Sequence, residues 1–197
     1  MCRLIETVKI FNGKVFNIDY HNQRLNNSRK TLFGRDDEID LVMHVHVTDL
    51  MGDGLYKCRI LYSEVVESVE FAPYTKRHLK TLKMVHSDQL RYDHKFEDRR
   101  HIDELFAHRG NCDDILIIQD HRLTDTSIGN IALFDGKMWF TPEFSLLKGT
   151  KRQKLLDEKK IFRKDIRVAD LKNYLKLSIF NAMIEFGEIE IPVSAIK

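Results

Sequence analysis

Short apolar runs separated by turn residues recur along this chain, and the first of them predict a β-hairpin. Residues 3–11 are rich in β-branched and aromatic side chains, and Asn12-Gly13 separates them from the similar run Lys14-Val15-Phe16. Asn-Gly between two such runs is the strongest two-residue signal for a hairpin, because both residues tolerate the positive φ that a tight turn requires. The chain is therefore predicted to open with two antiparallel strands.

Helical spacing replaces the strand pattern after this hairpin. Asp19 is expected to cap a helix that runs to about Phe33, and Gly34 is expected to end it, because glycine adopts the left-handed conformation common after helices. A second helix is predicted from about Asp37 to Leu50. Two strands then complete a small α/β lobe, at residues 55–62 and 64–71.

A polar stretch from Tyr74 to Tyr92 has no clear period over its whole length. Such a segment is typical of a connection between two compact parts of a chain. We therefore predict two lobes, a small N-terminal lobe at residues 1–85 and a larger C-terminal lobe at residues 86–197.

The second lobe combines strands with flanking helices. Helices are predicted from about Asp98 to His108 and from about Lys151 to Glu158. Strand-like runs occupy residues 114–119, 130–134, 138–141 and 177–184, and a loop leads towards residues 191–193. The predicted fold class is α/β (α+β), with a small N-terminal α/β lobe and a larger C-terminal mixed β lobe.

The composition of the chain indicates which binding partners and which cellular compartment to expect. The 197 residues are 43% hydrophobic, and 32 basic against 30 acidic residues give a formal net charge of +2. So small a charge gives no bulk attraction to nucleic acid or to an anionic membrane, and no apolar run is long enough to cross a bilayer. The three cysteines are scattered and the nine histidines are dispersed, so we expect a cytoplasmic protein with neither disulfides nor a metal site.

Candidate chemistry lies in two blocks, one around Lys95 and one around Asp125. A pyridoxal phosphate (PLP) enzyme needs an amine that attacks the cofactor aldehyde and a carboxylate for the pyridine nitrogen. It also needs an arginine and backbone amides for the phosphate. Lys95, Asp125, Arg24 and the turn at Gly149 are candidates for these parts. Taken singly, Arg24 could lie on a solvated helix face and Asp125 in an ordinary turn.

The order and spacing of five segments resemble one known family. Lys-x-x-Asp-Arg is followed by Asp-Asp-Ile-Leu-Ile, Leu-Thr-Asp-Thr-Ser-Ile-Gly-Asn-Ile, Trp-Phe-Thr-Pro and Leu-Leu-Lys-Gly-Thr-Lys-Arg, and the similarity runs from Glu6-Thr7 to Pro192-Val193. The chain resembles the class IV aminotransferases, the fold-type IV PLP enzymes. This resemblance implies a two-lobed fold, PLP as the cofactor, a small-molecule amine as the substrate and a homodimer.

The resemblance also implies which residues hold the cofactor phosphate. Residues 21–28 are similar to the family's His-x-x-Arg-Leu-x-x-Ser helix, whose arginine grips the phosphate, so Arg24 is the implied ligand. Further contacts are implied in two later segments, at Gly149, Thr150 and Lys151, and at Asn181 and Ala182. Lys151 stands where the family has a threonine, whose hydroxyl helps to bind the phosphate.

Other implied roles concern the cofactor ring. Lys95 is implied as the lysine that forms a Schiff base with PLP and then moves protons at the substrate Cα. Asp125 stands where the family has a glutamate that pairs with the pyridinium nitrogen, and its side chain is one methylene shorter. Ser127 and Ile128 follow Asp125 and are implied to lie beside the cofactor.

Three functions stay open at the level of sequence. Arg100 in Lys-x-x-Asp-Arg, together with Asn181-Ala182-Met183, favours aminodeoxychorismate lyase, which forms 4-aminobenzoate and pyruvate. A branched-chain or D-amino acid aminotransferase is the alternative. A non-catalytic protein that binds PLP or a metabolite is the third, although retention of Lys95 argues against it. Arg59 and Arg99 are candidate substrate contacts, and Arg59 could instead satisfy a sheet edge.

Overall fold

The computed structural model describes residues 2–47 and 53–197. The chain forms two compact units, and each is made of two segments. The first unit is Met1–Lys76 with His94–Asp98, and the second is Arg77–Asp93 with Arg99–Lys197. The sequence placed one boundary after residue 85, whereas the chain leaves the first unit after Lys76 and returns to it for five residues around Lys95.

A four-stranded antiparallel sheet forms the first unit. Its strands are β1 (Leu4–Phe11), β2 (Lys14–Val15), β3 (Leu55–Tyr62) and β4 (Val66–Pro73), in the order β2-β1-β3-β4. The predicted opening hairpin is confirmed, since Asn12 and Gly13 both have positive φ at the turn between β1 and β2. The strands predicted at residues 55–62 and 64–71 are confirmed as β3 and β4.

One long helix, α1 (Ile18–Phe33), follows the hairpin as predicted. The N-cap residue is Asn17 rather than Asp19, which lies in the first turn, so the predicted cap is wrong by two residues. Asn17 has a φ of 56°, a left-handed conformation that asparagine tolerates better than most residues. Gly34 ends the helix with a φ of 66°, as predicted, and its N–H binds the last helical carbonyls.

The second helix predicted for residues 37–50 is wrong where the structure describes that segment. Only a 3-10 turn, Leu41–Met43, forms there, and residues 48–50 lie outside the described residues. Asn26 of α1 explains the difference, because its side chain accepts from the backbone N–H of Ile39 and donates to the carbonyl of the same residue. Backbone groups bound in this way cannot also form a helix.

The second unit is built on an eight-stranded mixed sheet with two short helices. Its strands are β5 (Leu82–His86), β6 (Asp114–Gln119), β7 (Arg122–Thr126), β8 (Asn130–Phe134), β9 (Trp139–Pro142), β10 (Phe162–Lys164), β11 (Lys176–Phe180) and β12 (Ile189–Pro192). Six follow the order β10-β9-β8-β7-β6-β5, and β11 pairs with β8 and β12. The pairs β5–β6 and β9–β10 are parallel. The helices are α2 (Arg100–Ala107) and α3 (Thr150–Asp157).

The pattern of apolar residues predicted part of this sheet. Strands β6 and β8 are confirmed at their predicted bounds, and β9 and both helices are confirmed with their ends shifted by one or two residues. Strands β5, β7, β10 and β12 were missed. β10 and β12 have only three and four residues, β7 is mostly polar, and β5 lies inside the stretch from Tyr74 to Tyr92 that was predicted to be a connection. The strand predicted for residues 177–184 stops at Phe180, so its second half is wrong.

Each unit has its own apolar core. In the first unit, residues of β1, α1 and β3 pack together, including Leu4, Val8, Leu25, Cys58 and Ile60. In the second unit, the core includes Leu116, Ile118, Leu133, Leu177 and Ile191. Within residues 2–47 and 53–197, no helix is long and apolar enough to span a membrane. In the same part of the chain, no group of three or more His, Cys, Asp or Glu side chains could hold a metal ion.

Candidate active site

A fully buried carboxylate organises the charged residues of the first unit. Glu6 on β1 accepts a hydrogen bond from His21 Nδ1 at 2.6 Å. It also accepts from Nε and Nη2 of Arg24, at 2.8 and 2.5 Å. His21 and Arg24 are three residues apart on α1 and therefore lie on neighbouring positions of one helix face. Arg24 is the predicted phosphate ligand. Its guanidinium is thus held in place by two hydrogen bonds that it donates to one buried carboxylate.

The charges of this cluster determine its protonation. Burial raises the pKa of Glu6, but the Arg24 charge and the hydrogen bonds from His21 and Arg24 outweigh burial and lower the pKa to about 2. Burial lowers the pKa of His21 against the opposing effect of Glu6, and the charges of Arg24 and Lys95 lower it further. Glu6 is therefore ionised and His21 is a neutral donor to it at neutral pH.

Lys95 belongs to the same unit as this cluster. The segment that carries it lies beside the start of β1, where Ile5 N–H donates to the Lys95 carbonyl at 2.9 Å and Leu4 pairs with Phe96. The effect of Lys95 on the pKa of His21 places its ammonium within electrostatic range of the Glu6 cluster. The structure thus brings together two residues that the sequence singled out, Lys95 and Arg24.

The candidate substrate residue Arg59 lies on β3 of the first unit. Its Nη2 donates to Glu97 Oε1 at 3.0 Å, and Glu97 is two residues after Lys95. The side chain of Arg59 is 28% exposed. Arg59 therefore has a carboxylate partner within its own unit. This ion pair supports neither of the two roles considered from the sequence, a direct substrate contact or a residue that satisfies a sheet edge.

In the second unit, Asp125 is the centre of a buried network. It lies on β7 opposite Asn130 of β8, and its Oδ1 accepts from Asn130 Nδ2 at 2.8 Å. Its Oδ2 accepts from the backbone N–H of Leu147 at 2.9 Å, and Asn130 Nδ2 also donates to the Leu147 carbonyl. The residue is 5% exposed. Asp125 is therefore part of a strand and of a shared network rather than an isolated turn residue.

Burial dominates the ionisation of Asp125. Removal from water raises its pKa to about 6, while the hydrogen bonds from Leu147 and Asn130 and the charge of Arg152 act in the opposite direction. A carboxyl group in such a place is a common feature of functional sites. Its charge is stabilised further by any cationic group that comes within a few ångströms.

The first turn of α3 adjoins the Asp125 network at Gly149. A Cβ on Gly149 would lie 1.9 Å from Asn130 Oδ1, so only glycine fits this position. Thr150 and Lys151 follow as the first helical residues, and both are buried. The ammonium of Lys151 pairs with Glu185 at 2.6 Å. Three predicted phosphate-binding residues therefore sit at the amino end of a helix, where backbone N–H groups point outward.

Hydrogen bonds also hold the segment after Asp125, which contains the implied cofactor contacts Ser127 and Ile128. Arg99 Nη2 donates to the Ser127 carbonyl at 2.7 Å, and Asn181 Nδ2 donates to the Ile128 carbonyl at 2.9 Å. Gly129 lies so close to Phe180 that a Cβ would be 2.6 Å from its carbonyl oxygen. Arg99, predicted as a substrate contact, therefore supports the loop of Ser127 and Ile128 within its own unit.

Asn181 holds a turn of its own at the end of β11. Its Oδ1 accepts from the backbone N–H groups of Met183 and Ile184, at 2.8 and 2.9 Å, and Ala182 lies inside this turn. The segment from Asn181 to Ala182 is thus joined to the loop at Ile128 within the second unit.

Three residues of these networks were not predicted from the sequence. The motifs give Glu6 no role, although a charged residue inside an apolar strand run is a signal of a buried ion pair. Asn130 is predicted only as the first residue of a strand. Glu185 gave no signal at all, because its partner Lys151 lies 34 residues away in sequence.

The chain belongs to the class IV aminotransferase family. The family described as amino-transferase class IV matches residues 3–191. An uncharacterized protein of Haemophilus influenzae is 37% identical over 185 residues, which cover 93% of this chain and 98% of that protein. The family predicted from the order of the motifs is therefore confirmed, and so is the α/β fold with two sheets.

Solved structures agree with this assignment. A crystal structure from Haemophilus somnus, provisionally named a 4-amino-4-deoxychorismate lyase, is 34% identical and has a TM-score of 0.85, and the match covers 93% of this chain and 97% of that one. A structure from Mesorhizobium loti, provisionally named an amino-acid aminotransferase, is 21% identical with a TM-score of 0.79 and full coverage of both chains. The similarity to the structure from Mesorhizobium loti shows a shared fold and nothing more.

Proposed function

We propose that this chain is a PLP-dependent enzyme that converts 4-amino-4-deoxychorismate to 4-aminobenzoate and pyruvate. The observation that carries the PLP part is the network of the second unit, in which the buried Asp125 carboxylate is joined through Asn130 to the turn at Gly149. A pyridinium nitrogen requires such a carboxylate, and a phosphate binds well at the start of a helix. Family membership supports the same cofactor.

The residues present fit PLP in charge and in donor type. Asp125 accepts hydrogen bonds from Asn130 and from the backbone N–H groups of Leu147 and Leu146. A carboxylate has about four acceptor positions, so one remains for the pyridinium N–H. The positive nitrogen would lower the raised pKa of Asp125 and keep the carboxylate ionised. The amides that begin α3 and the guanidinium of Arg24 are donors suited to a phosphate.

In this proposal each residue has a distinct task. When bound, PLP supplies an electron-withdrawing ring that spreads the negative charge left at the substrate Cα. Lys95 would hold the cofactor aldehyde until the substrate amine displaces it. Its freed amine would then remove the proton from the carbon that bears the substrate amine, and this proton leaves with pyruvate as the ring becomes aromatic. Asp125 keeps the pyridine nitrogen protonated. Within the first unit, Arg24 would offer charged donors to the phosphate, and the neutral His21 adds no further positive charge beside Lys95. Within the second unit, the first turn of α3 would offer backbone N–H donors.

Two observations favour the lyase reaction over amino transfer. The chain has Arg100 in Lys-x-x-Asp-Arg and carries Asn181-Ala182-Met183, both similar to the lyase members of the family. The structure from Haemophilus somnus, which carries the provisional lyase name, is 34% identical over nearly the whole of both chains. These observations support the lyase proposal, and the shared lysine, carboxylate and phosphate contacts are compatible with either reaction.

Product analysis tests the proposal directly. Purified protein is loaded with PLP, freed of excess cofactor and incubated with 4-amino-4-deoxychorismate, and 4-aminobenzoate and pyruvate are quantified. Parallel incubations contain an amino acid and a 2-oxo acid to detect amino transfer. We expect 4-aminobenzoate and pyruvate in equal amounts and no amino transfer. Transfer without 4-aminobenzoate would assign the aminotransferase reaction instead.

Borohydride reduction followed by peptide mass mapping locates the cofactor lysine in the same preparation. We expect a pyridoxyl adduct on Lys95, and loss of both adduct and products in Lys95→Ala. Lys83→Ala is the matched control, because Lys83 is an exposed lysine on β5. Absence of any adduct in the unaltered protein, together with absence of products, would leave only the non-catalytic interpretation.

We further propose that the protein is a homodimer, as the family resemblance implies. Light scattering of the PLP-loaded protein measures its mass directly. A mass near twice 23.3 kDa is expected, and a mass near 23.3 kDa would exclude the dimer under those conditions.

A further inference from the structure

The short segment His94–Asp98, which carries Lys95, belongs to the first unit, although the chain on both sides of it belongs to the second unit. Chain connectivity therefore does not hold this segment, here called the lysine segment, against the first unit. Its place depends on the contacts that it makes with β1 and β3.

Backbone pairing attaches the lysine segment to the start of β1. Ile5 N–H donates to the Lys95 carbonyl, and Glu97 N–H donates to the Arg3 carbonyl, both at 2.9 Å. Phe96 lies between these two bonds and packs against the core of the first unit. Because β3 pairs with β1 over the same residues, the lysine segment and β3 lie on opposite edges of that strand.

An ion pair crosses β1 and joins its two neighbours. Arg59 of β3 is in register with Thr7 of β1, and its Nη2 donates to Glu97 Oε1 at 3.0 Å. The second carboxylate oxygen, Glu97 Oε2, lies 3.8 Å from Nη1 of Arg3. The side chains of Arg59 and Glu97 are 28% and 33% exposed, whereas that of Arg3 is 54% exposed, so the pair with Arg59 is the better shielded from water and salt.

We propose that Glu97 is a positioning residue for Lys95, and that Arg59 acts through Glu97 rather than on the substrate. The inference rests on the proposed PLP function. A lysine side chain is a flexible four-carbon chain, so the place of its backbone determines where its amine can reach. A displacement of about 1 Å at a reacting group can lower a rate about 100-fold. An ion pair at residue 97 restrains the backbone two residues away, at Lys95.

Hydrogen exchange of cofactor-free protein tests the attachment itself. Mass spectrometry follows the amides of Ile5 and Glu97, and each rate is compared with the intrinsic rate for that sequence. Arg59→Met and Glu97→Ala should each speed exchange at these two amides about fivefold. The double variant should exchange no faster than the faster single variant, because either change alone breaks the same pair. The amide of Leu25 in α1 should keep its rate, since the opening is local.

Steady-state kinetics of the PLP-loaded protein with 4-amino-4-deoxychorismate tests the consequence for Lys95. Arg59→Met and Glu97→Ala should each lower kcat about tenfold or more and leave KM within about twofold, because the substrate binds as before while the amine is misplaced. Arg59→Lys, which keeps the charge, should recover part of kcat. A direct substrate contact of Arg59 would instead raise KM in Arg59→Met and leave Glu97→Ala unaffected, and this result would overturn the inference.

A second ion pair of the first unit provides the control. Lys30 and Asp36 lie 2.8 Å apart, and their side chains are 71% and 78% exposed. Lys30→Met and Asp36→Asn change the net charge by the same amounts as Arg59→Met and Glu97→Ala, and they should leave exchange and kinetics unchanged. If Arg59→Met speeds exchange at Leu25 as much as at Ile5, the pair stabilises the unit in general and the inference is wrong.

The exchange measurement needs neither cofactor nor substrate, so the two proposals can fail separately. If 4-aminobenzoate forms while exchange at Ile5 and Glu97 is the same in every variant, this inference is wrong and the proposed function stands. If exchange changes as expected but the unaltered protein binds no PLP, the proposed function fails, and the positioning role fails with it.

Discussion

Replacement of Gly149 by alanine tests how tightly the start of α3 is joined to the Asp125 network. The backbone of Gly149 has φ −68° and ψ 142°, which alanine adopts without strain. The added Cβ would lie 1.9 Å from Asn130 Oδ1 and 3.1 Å from its Cγ. Because the backbone conformation costs nothing, the loss of stability in Gly149→Ala should come mainly from this one contact, with a smaller part from the poorer helix capping of alanine.

The size of the loss follows from what Asn130 must give up when it moves. Its Nδ2 donates to Asp125 Oδ1 and to the Leu147 carbonyl, both at 2.8 Å. A hydrogen bond to a charged group contributes about 1.5–3 kcal/mol, and one to a neutral group about 0.5–1.5 kcal/mol. We therefore expect Gly149→Ala to lower the free energy of unfolding by about 3 kcal/mol, a large share of the stability of a typical protein.

Urea unfolding of cofactor-free protein, combined with Asn130→Ala, measures this value and its cause. Asn130→Ala removes the oxygen that the new Cβ would strike, so Gly149→Ala should cost less than about 1 kcal/mol in that background. The difference between the two backgrounds isolates the contact. An equal cost in both backgrounds, or a cost below about 1 kcal/mol in the unaltered protein, would refute the reasoning.

Three further predictions concern buried charge. Arg29→Met should cost about 3 kcal/mol in urea unfolding, because the 1% exposed guanidinium binds Asp37 and backbone carbonyls. Arg35→Met, at the exposed partner of the same aspartate, should cost much less. The pKa of Asp125 is raised from 3.8 to about 6, so the folded state binds its proton more tightly and cofactor-free protein should lose up to about 3 kcal/mol as pH rises from 4 to 6. Denaturant titrations at several pH values should show this fall, and Asp125→Asn should lack it. The pKa of Glu6 is lowered from 4.5 to about 2, so its contribution should be lost as pH falls through that range, and Glu6→Gln should flatten the acid limb of the same profile.

The elements that the sequence predicted are those whose cause is local. The hairpin at Asn12-Gly13 depends on positive φ at two adjacent residues, and the end of α1 depends on the same freedom at Gly34. Strand β6 is an unbroken apolar run with five of its six residues buried. In each case the residues that determine the structure lie inside the element or next to it.

Elements that were missed or wrong depend on distant partners. Strand β7 is polar because its side chains bind other parts of the second unit, as Thr124 Oγ1 does when it donates to the Ile117 carbonyl. Residues 37–47 do not form the expected helix, because Asn26 binds the backbone groups of Ile39. No pattern within either segment carries this information.

The residues of the candidate site also differ in whether a local motif or a distant partner determines their place. Motif order identified Lys95, Arg24 and Asp125, because a family keeps the spacing of such residues. It did not identify Glu6, which is 15 residues from His21 and is brought to it by the packing of α1 on β1. Motifs can thus propose candidate ligand-binding residues, whereas the residues that hold those candidates in place appear only in the folded chain.

Asp125 shows why the supporting residues matter for function. Its side chain is one methylene shorter than the glutamate found at this position in the family, which by itself would move the carboxylate away from a pyridine nitrogen. Yet the position of the carboxylate is determined by Asn130 on one oxygen and by the Leu147 N–H on the other, not by side-chain length alone. Because Asn130 also packs against Gly149, the carboxylate and the start of α3 are positioned relative to each other by one amide side chain. A change of side-chain length at residue 125 is therefore compatible with the same chemistry when the whole network shifts with it.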